Sequence, residues 1–161
     1  MPKSLLQYLT GRTAINLGNL VLILLLLHGI WEVLGNYARI AEMQDGMEEI
    51  LEGLGTILVA LGVALEERET LMKFIGVYPA GLTPLQARVD HHCHGYGLLL
   101  LLVGLFVEVA VYVIRMPNLN TIDFDPGLIL VGAAFCVLGT LLLMRLTWLL
   151  WRAPAEAAQG A

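Results

Sequence analysis

Four long apolar runs, separated by short polar stretches, constrain this chain more than any other feature. They are Leu17 to Leu34, Ile50 to Leu65, Tyr96 to Ile114 and Leu128 to Trp151. Each approaches the ~20 residues an α-helix needs to cross ~30 Å of hydrocarbon. No water satisfies the backbone inside a bilayer, so a spanning segment must close its own hydrogen bonds as a helix. Composition agrees: 58% of residues are hydrophobic and 14% charged, against about 45–50% and about 25% in soluble domains. The expectation is one all-α, polytopic membrane domain with four transmembrane helices. The spans are expected at 17–35, 47–66, 95–115 and 127–151, with a polar segment at 66–94 and a frayed tail at 153–161. The first run exceeds the 7–15 residues of a signal-peptide core and reads as an uncleaved span.

Charge sets the expected orientation. Four spans place both termini and segment 66–94 on one side, with Lys3, Arg12, Arg68, Lys73, Arg88, Arg145 and Arg152. The other side, with short loops near Asn36–Gly46 and Met116–Pro126, holds only Arg39 and Arg115. Basic residues favour the cytoplasm, so the termini are expected there, in a bacterial-type inner membrane. A net charge of −5 without a basic patch excludes an obvious nucleic-acid binder. Cys93 and Cys136 form no CxxC and suggest no disulfide or zinc framework.

Segment 66–94 has internal punctuation. Glu66 to Ile75 reads as a continuing amphipathic helix, broken by Gly76-Val-Tyr-Pro-Ala-Gly81. Thr83-Pro84 is a helix start, a hydroxyl cap followed by proline at the first helical position. The next break is Pro117, so the third helix is expected from Pro84 to about Arg115 and extends into the cytoplasm.

Ionisable side chains within spans cost roughly 2.5–3.5 kcal/mol each at the bilayer centre, so each calls for a reason. His28 and Glu32 lie one turn apart in the first span; Glu48, Glu49 and Glu52 open the second; Glu108 lies within the third. Matching depths allow His28, Glu32, Glu49, Glu52 and Glu108 to converge, the chemistry of a divalent metal such as iron, zinc or copper. The blander reading keeps the acids wet at a helix N-terminus. A second candidate set is His91 and His94 in Asp90-His91-His92-Cys93-His94. That string contains the tetrapeptide of the DHHC palmitoyltransferases but lacks their cysteine-rich zinc domain. Within one chain a haem clamped by His28 and the His91–His94 group is disfavoured, because their depths differ by roughly 15–20 Å, which leaves open a haem shared between subunits.

The third helix carries an organised face of His91, His94, Gly97, Leu101, Gly104, Glu108, Tyr112 and Arg115. Gly97 and Gly104 permit close helix approach. Gly97, Gly104, Glu108, Tyr112 and Arg115, with Arg145 on the fourth helix, form the candidate partner or pathway face. Its partner is expected to be another membrane subunit or a second copy.

The acidic pair Glu48-Glu49 before Ile50-Leu51, the stretch Leu61-Gly62-Val63-Ala64-Leu65-Glu66-Glu67-Arg68, the break Tyr78-Pro79 and the segment Leu143-Met144-Arg145-Leu146 together resemble the small four-helix membrane subunit of tripartite ATP-independent periplasmic transporters. The chain departs from that family at Gly46-Met47, where an aromatic is usual, and in its His-rich string. The resemblance implies a non-catalytic scaffold bound to a larger transport subunit. Two readings stand beside it: a metal-binding or redox membrane protein, and a small homo-oligomeric channel or exporter with Glu108 in its pathway. No nucleotide fingerprint or Ser/His/Asp order suggests a soluble enzyme.

Overall fold

A computed structural model describes residues 12–78, 84–116 and 124–159, with the side chains of 41 and 153–159 left aside. Among these residues every regular element is helical. Helix α1 spans Arg12–Asn36, and a single 3-10 turn at Tyr37–Arg39 leads into α2, Ile40–Glu66. Helix α3 spans Arg68–Ile75, α4 Pro84–Ile114 and α5 Asp125–Gln159.

Three helical stretches are long and apolar enough to cross a membrane: Arg12–Arg39, Pro84–Ile114 and Asp125–Arg152. They mark the protein as membrane-embedded. Helix α2 is as long but more highly charged. Glu48, Glu49 and Glu52 near one end and Glu66 at the other leave only Gly53 to Leu65 free of charge.

Several boundaries differ from expectation. Residues 36–46 form no loop, because the 3-10 turn is followed at once by helix through Glu42 and Asp45. Acidic residues near a helix N-terminus are favoured by the macrodipole, so the acids extend α2 rather than end it. The tail is helical to Gln159, not frayed from 153. The expected continuous helix over 66–75 is divided at Glu67, although its hydrogen bonds continue (Glu67 N to Val63 O and Leu71 N to Glu67 O, both 2.9 Å). Gly76 ends α3 in the left-handed conformation, φ 73°. The amides of Gly76 and Val77 donate to the carbonyls of Lys73 and Met72 at 3.1 and 3.0 Å, a Schellman cap. Residues 79–83 and 117–123, which hold Pro79, Thr83 and most of the second expected loop, lie outside the described residues.

Helix α2 is the hub. It packs on α1, α4 and α5, while α5 joins α1 and α4, so α1 and α4 stand at opposite corners. Its contact with α4 is backbone on backbone. A Cβ on Gly62 would lie 2.4 Å from the Leu101 amide nitrogen and 2.8 Å from the Gly97 carbonyl oxygen. One on Gly97 would lie 2.5 Å from the Glu66 nitrogen, and one on Gly104 2.7 Å from the Val59 nitrogen. No larger residue fits at those points without separating the helices. Elsewhere α2 supplies knobs: Leu54 fills the space over Gly29 of α1, and Leu51 and Leu58 fill those over Gly132 and Gly139 of α5. All three leucines are buried.

These contacts set a clear expectation. Gly62→Ala should destabilise the bundle by about 1–3 kcal/mol through overpacking. Gly46→Ala, at a helical position with open space around it, should be neutral or stabilising by up to ~1 kcal/mol. Thermal unfolding of both variants in detergent micelles measures the contrast.

Candidate functional site

The polar side chains of the α2–α4 seam gather in three places along its length. At one end, Arg68 opens α3 and meets Asp90 of α4 in a buried ion pair. The Tyr78 hydroxyl donates to the second Asp90 oxygen at 2.9 Å, and Gln86 Nε2 lies 3.2 and 3.3 Å from the two oxygens. A carboxylate buried at this depth needs such donors, because desolvation penalises its charge. The reciprocal effect falls on Tyr78. Burial, then its hydrogen bond to Asp90, pushes its hydroxyl up to about 12. A cavity of about 390 Å³ borders the cluster, lined in part by Glu66, Glu69, Lys73, Asp90 and His94.

At the other end, Arg115 lies 2.7 Å from Glu52 and 3.6 Å from Glu48. Gln44 Nε2 donates to Glu48 at 3.0 Å and to Asp125 at 2.9 Å, so one amide bridges two buried carboxylates on α2 and α5. Tyr37 donates to the Pro126 carbonyl at 3.3 Å and ties the α1–α2 turn to α5. Between the two ends, the Thr56 hydroxyl donates to Glu108 Oε1 at 2.8 Å on the outer flank of the seam.

The sequence-derived candidates divide accordingly. Gly97, Gly104, Glu108 and Arg115 all lie along the α2–α4 seam. Tyr112 and Arg145 point outward, Tyr112 with 65% of its surface exposed. The expected convergence of His28, Glu32, Glu49, Glu52 and Glu108 does not form. His28 is exposed on α1, Glu32 approaches Asn36 of its own helix, and Glu49 is exposed. Glu48 takes the inward place expected for Glu49 and reaches Arg115 together with Glu52. Among the described residues no three His, Cys, Asp or Glu side chains come together to hold a metal ion. His91 and His94 are exposed, with His94 Nδ1 3.6 Å from Glu66. Glu66 and Gly55 mark the α2 levels of His94 and Glu108, with Leu54 beside Gly29. His94 and His28 are thus separated by about 11 residues of helix, or about 17 Å at 1.5 Å per residue. Both cysteines are free and buried.

The inward groups overlooked in the sequence carry a signal of their own. Counting seven residues back from Gly104 and Gly97 gives Asp90, and counting seven back from Gly62 and Gly55 gives Glu48. The glycine repeat therefore selects these two carboxylates rather than the neighbouring histidines or Glu49.

The chemistry of this arrangement is that of a lock. Donors from α3, α4 and the turn after α3 converge on Asp90, and the opposite end fastens α2 to both α4 and α5. No protein-family model matches the chain, and neither a curated protein nor a solved structure matches it significantly.

Burial separates the two ends energetically. Arg68→Ala should cost about 3–5 kcal/mol by stranding a buried carboxylate, and Arg68→Met with Asp90→Leu should recover most of it. Arg115→Ala should cost about 1 kcal/mol, because 45% and 43% of the Arg115 and Glu52 side chains are exposed and buried Glu48 keeps the Gln44 amide. Unfolding in micelles orders the three variants. Tyr78 gives a pH dependence. Its folded value is raised, so its contribution is fully present below about pH 10 and is lost as pH rises through about 12. The tyrosinate absorbance of the native protein minus that of Tyr78→Phe should therefore have its midpoint near 12.

Proposed function

We propose that this protein is a non-catalytic scaffold subunit of a multi-subunit membrane complex, with four spans and both termini in the cytoplasm of a bacterial-type inner membrane. The observation that carries the reading is the α2–α4 seam, held at backbone contact by glycines and locked at both ends by charged side chains. A helix pair fastened at both ends can slide or open only by breaking those contacts, of which the Arg68–Asp90 pair is buried. A unit built this way holds its shape while something bound to it moves or reacts.

Treating α2 as the fourth span follows from its position. Three more apolar helices pack around it and its leucines are buried among them, so its own composition need not match lipid on every side. The excess of basic residues at the end that holds Arg12, Arg68, Lys73, Arg88 and Arg152 supports a cytoplasmic assignment for that end. The short α3 fits a membrane-surface arm there, since Leu71 and Phe74 are exposed beside Lys73. The resemblance to the small membrane subunit of tripartite ATP-independent periplasmic transporters names the kind of partner, a larger membrane-embedded transport subunit.

Purification from native membranes in a mild detergent tests the reading. A larger membrane protein should co-elute at fixed stoichiometry, and the complex should weaken with substitutions on the outward α5 face that holds Arg145 (Leu138→Ala, Arg145→Ala). Recovery of the chain alone, with no other protein in constant ratio, would overturn it.

A further inference from the structure

Two ionisable side chains, exposed His28 on α1 and half-buried Glu108 at the rim of the α2–α4 seam, lie at one common depth in the apolar body of the bundle. Helix α2 serves as the ruler. Its Leu54 sits against Gly29 of α1, and its next residue, Gly55, sits against Glu108 of α4. His28 precedes Gly29, so His28 and Glu108 lie within about two residues of helix rise, or ~3 Å, of the same level. The level is well inside the apolar runs: His28 is eight residues from the Asn36 end of α1 and Glu108 six from the Ile114 end of α4. Among the described residues His28 makes no hydrogen bond or ion pair, and Glu108 has only the Thr56 hydroxyl, on one of its two oxygens.

Neither group can be left to hydrocarbon cheaply, and neither can reach the other within one chain, because α1 and α4 occupy opposite corners. A second copy in the same membrane has the same orientation and the same depth. It brings a donor-bearing imidazole to the level of every Glu108 and a carboxylate to the level of every His28. We infer that copies of this chain associate side by side, with His28 of one copy on Glu108 of the next.

The surrounding surfaces match in shape. Around His28, α1 presents a line of large exposed side chains, Val21, Leu24 and Trp31. Beside Glu108, α2 presents small exposed ones, Gly53, Thr56 and Ala60. Large residues on one helix against small residues on another give the close packing that drives association where lipid removes any hydrophobic force. The two surfaces differ, one on α1 and the other on α2 beside Glu108, so each contact joins unlike faces of two copies. This goes beyond the scaffold reading: it concerns copy number and holds with or without a larger partner.

Förster transfer between donor- and acceptor-labelled copies of the purified full chain in liposomes, diluted stepwise with lipid, tests the inference. The native chain should associate, and His28→Ala or Glu108→Ala should each weaken association by about three- to tenfold, the range for one interhelical polar contact. The exchanged pair, His28→Glu with Glu108→His, should restore it, which a general loss of stability would not. Unchanged thermal unfolding of each single variant confirms that the bundle is intact. Absence of transfer in the native chain, or transfer indifferent to both single substitutions, overturns the inference. So does failure of the exchanged pair to recover. Oxidative cross-linking supplies an independent reading, in a chain that carries Cys93→Ala and Cys136→Ala. Adding His28→Cys and Glu108→Cys together should give cross-linked copies, and neither substitution alone should cross-link. Dimers from either one alone would mean that like residues meet, and would overturn the inference.

Discussion

The fold depends on how closely α2 and α4 approach. Gly62 and Gly97 bring the two backbones within reach of each other, and Gly104 does the same one heptad further along. Every polar contact of the seam follows from that approach. Short side chains such as Asp90 and Thr56 meet partners on the neighbouring helix only because no Cβ holds the helices apart. In lipid this closeness replaces the hydrophobic effect, since hydrocarbon solvates a leucine as well as another leucine does. Dispersion contacts accumulate instead over two backbones in van der Waals reach.

The same logic explains why the most charged helix is the central one. Helix α2 carries acids at both ends and only thirteen uncharged residues between them. Its middle inserts Leu51, Leu54 and Leu58 over glycines of α1 and α5, while its own glycines accept α4. Holes and knobs therefore alternate around one helix, and three neighbours are fixed by it. The acids of its first half become fasteners: Glu48 and Glu52 hold Arg115, and Gln44 joins Glu48 to Asp125; beyond its other end, past the Glu67 break, Arg68 of α3 holds Asp90 of α4.

Much of the architecture is legible in the sequence, because apolar length and proline punctuation are local signals. Helix α4 begins at Pro84 and ends at Ile114, where the proline start and the next break put it. The roles of Gly97 and Gly104 follow from their spacing. The phase of the seam is not local, and there the reading fails. A string with three histidines draws attention to His91 and His94, yet the face turned inward contains Asp90, Cys93 and Gly97. Likewise Glu49 looks equivalent to Glu48 until the Gly55–Gly62 repeat chooses between them. Residue type suggests metal chemistry, whereas helix phase decides which side chains meet. The N-terminal extension of α2 is hidden for a related reason: acids look like loop in a hydropathy profile, although a helix N-terminus favours them.

The seam has one weakness that its charged ends remove. Glycines recur seven residues apart on both helices, so sliding α4 by one heptad, about 10 Å of rise, would again set one glycine against one glycine, in place of the two meetings of the native register. Close packing alone therefore favours the native register by a single glycine meeting, and in lipid no hydrophobic burial adds to that preference. The polar groups do. A slip of that size would pull Asp90 from Arg68 and Tyr78 at one end, Glu108 from Thr56 in the middle and Arg115 from Glu52 at the other. The buried Arg68–Asp90 pair dominates, because stranding either charge costs several kcal/mol while the exposed Arg115 pair contributes little. A buried ion pair is often a poor source of net stability, and its best-attested use is to fix register. In this bundle the glycines supply attraction and part of the register, and Asp90 supplies the rest at small net gain, so the two features together set a single alignment of α2 and α4.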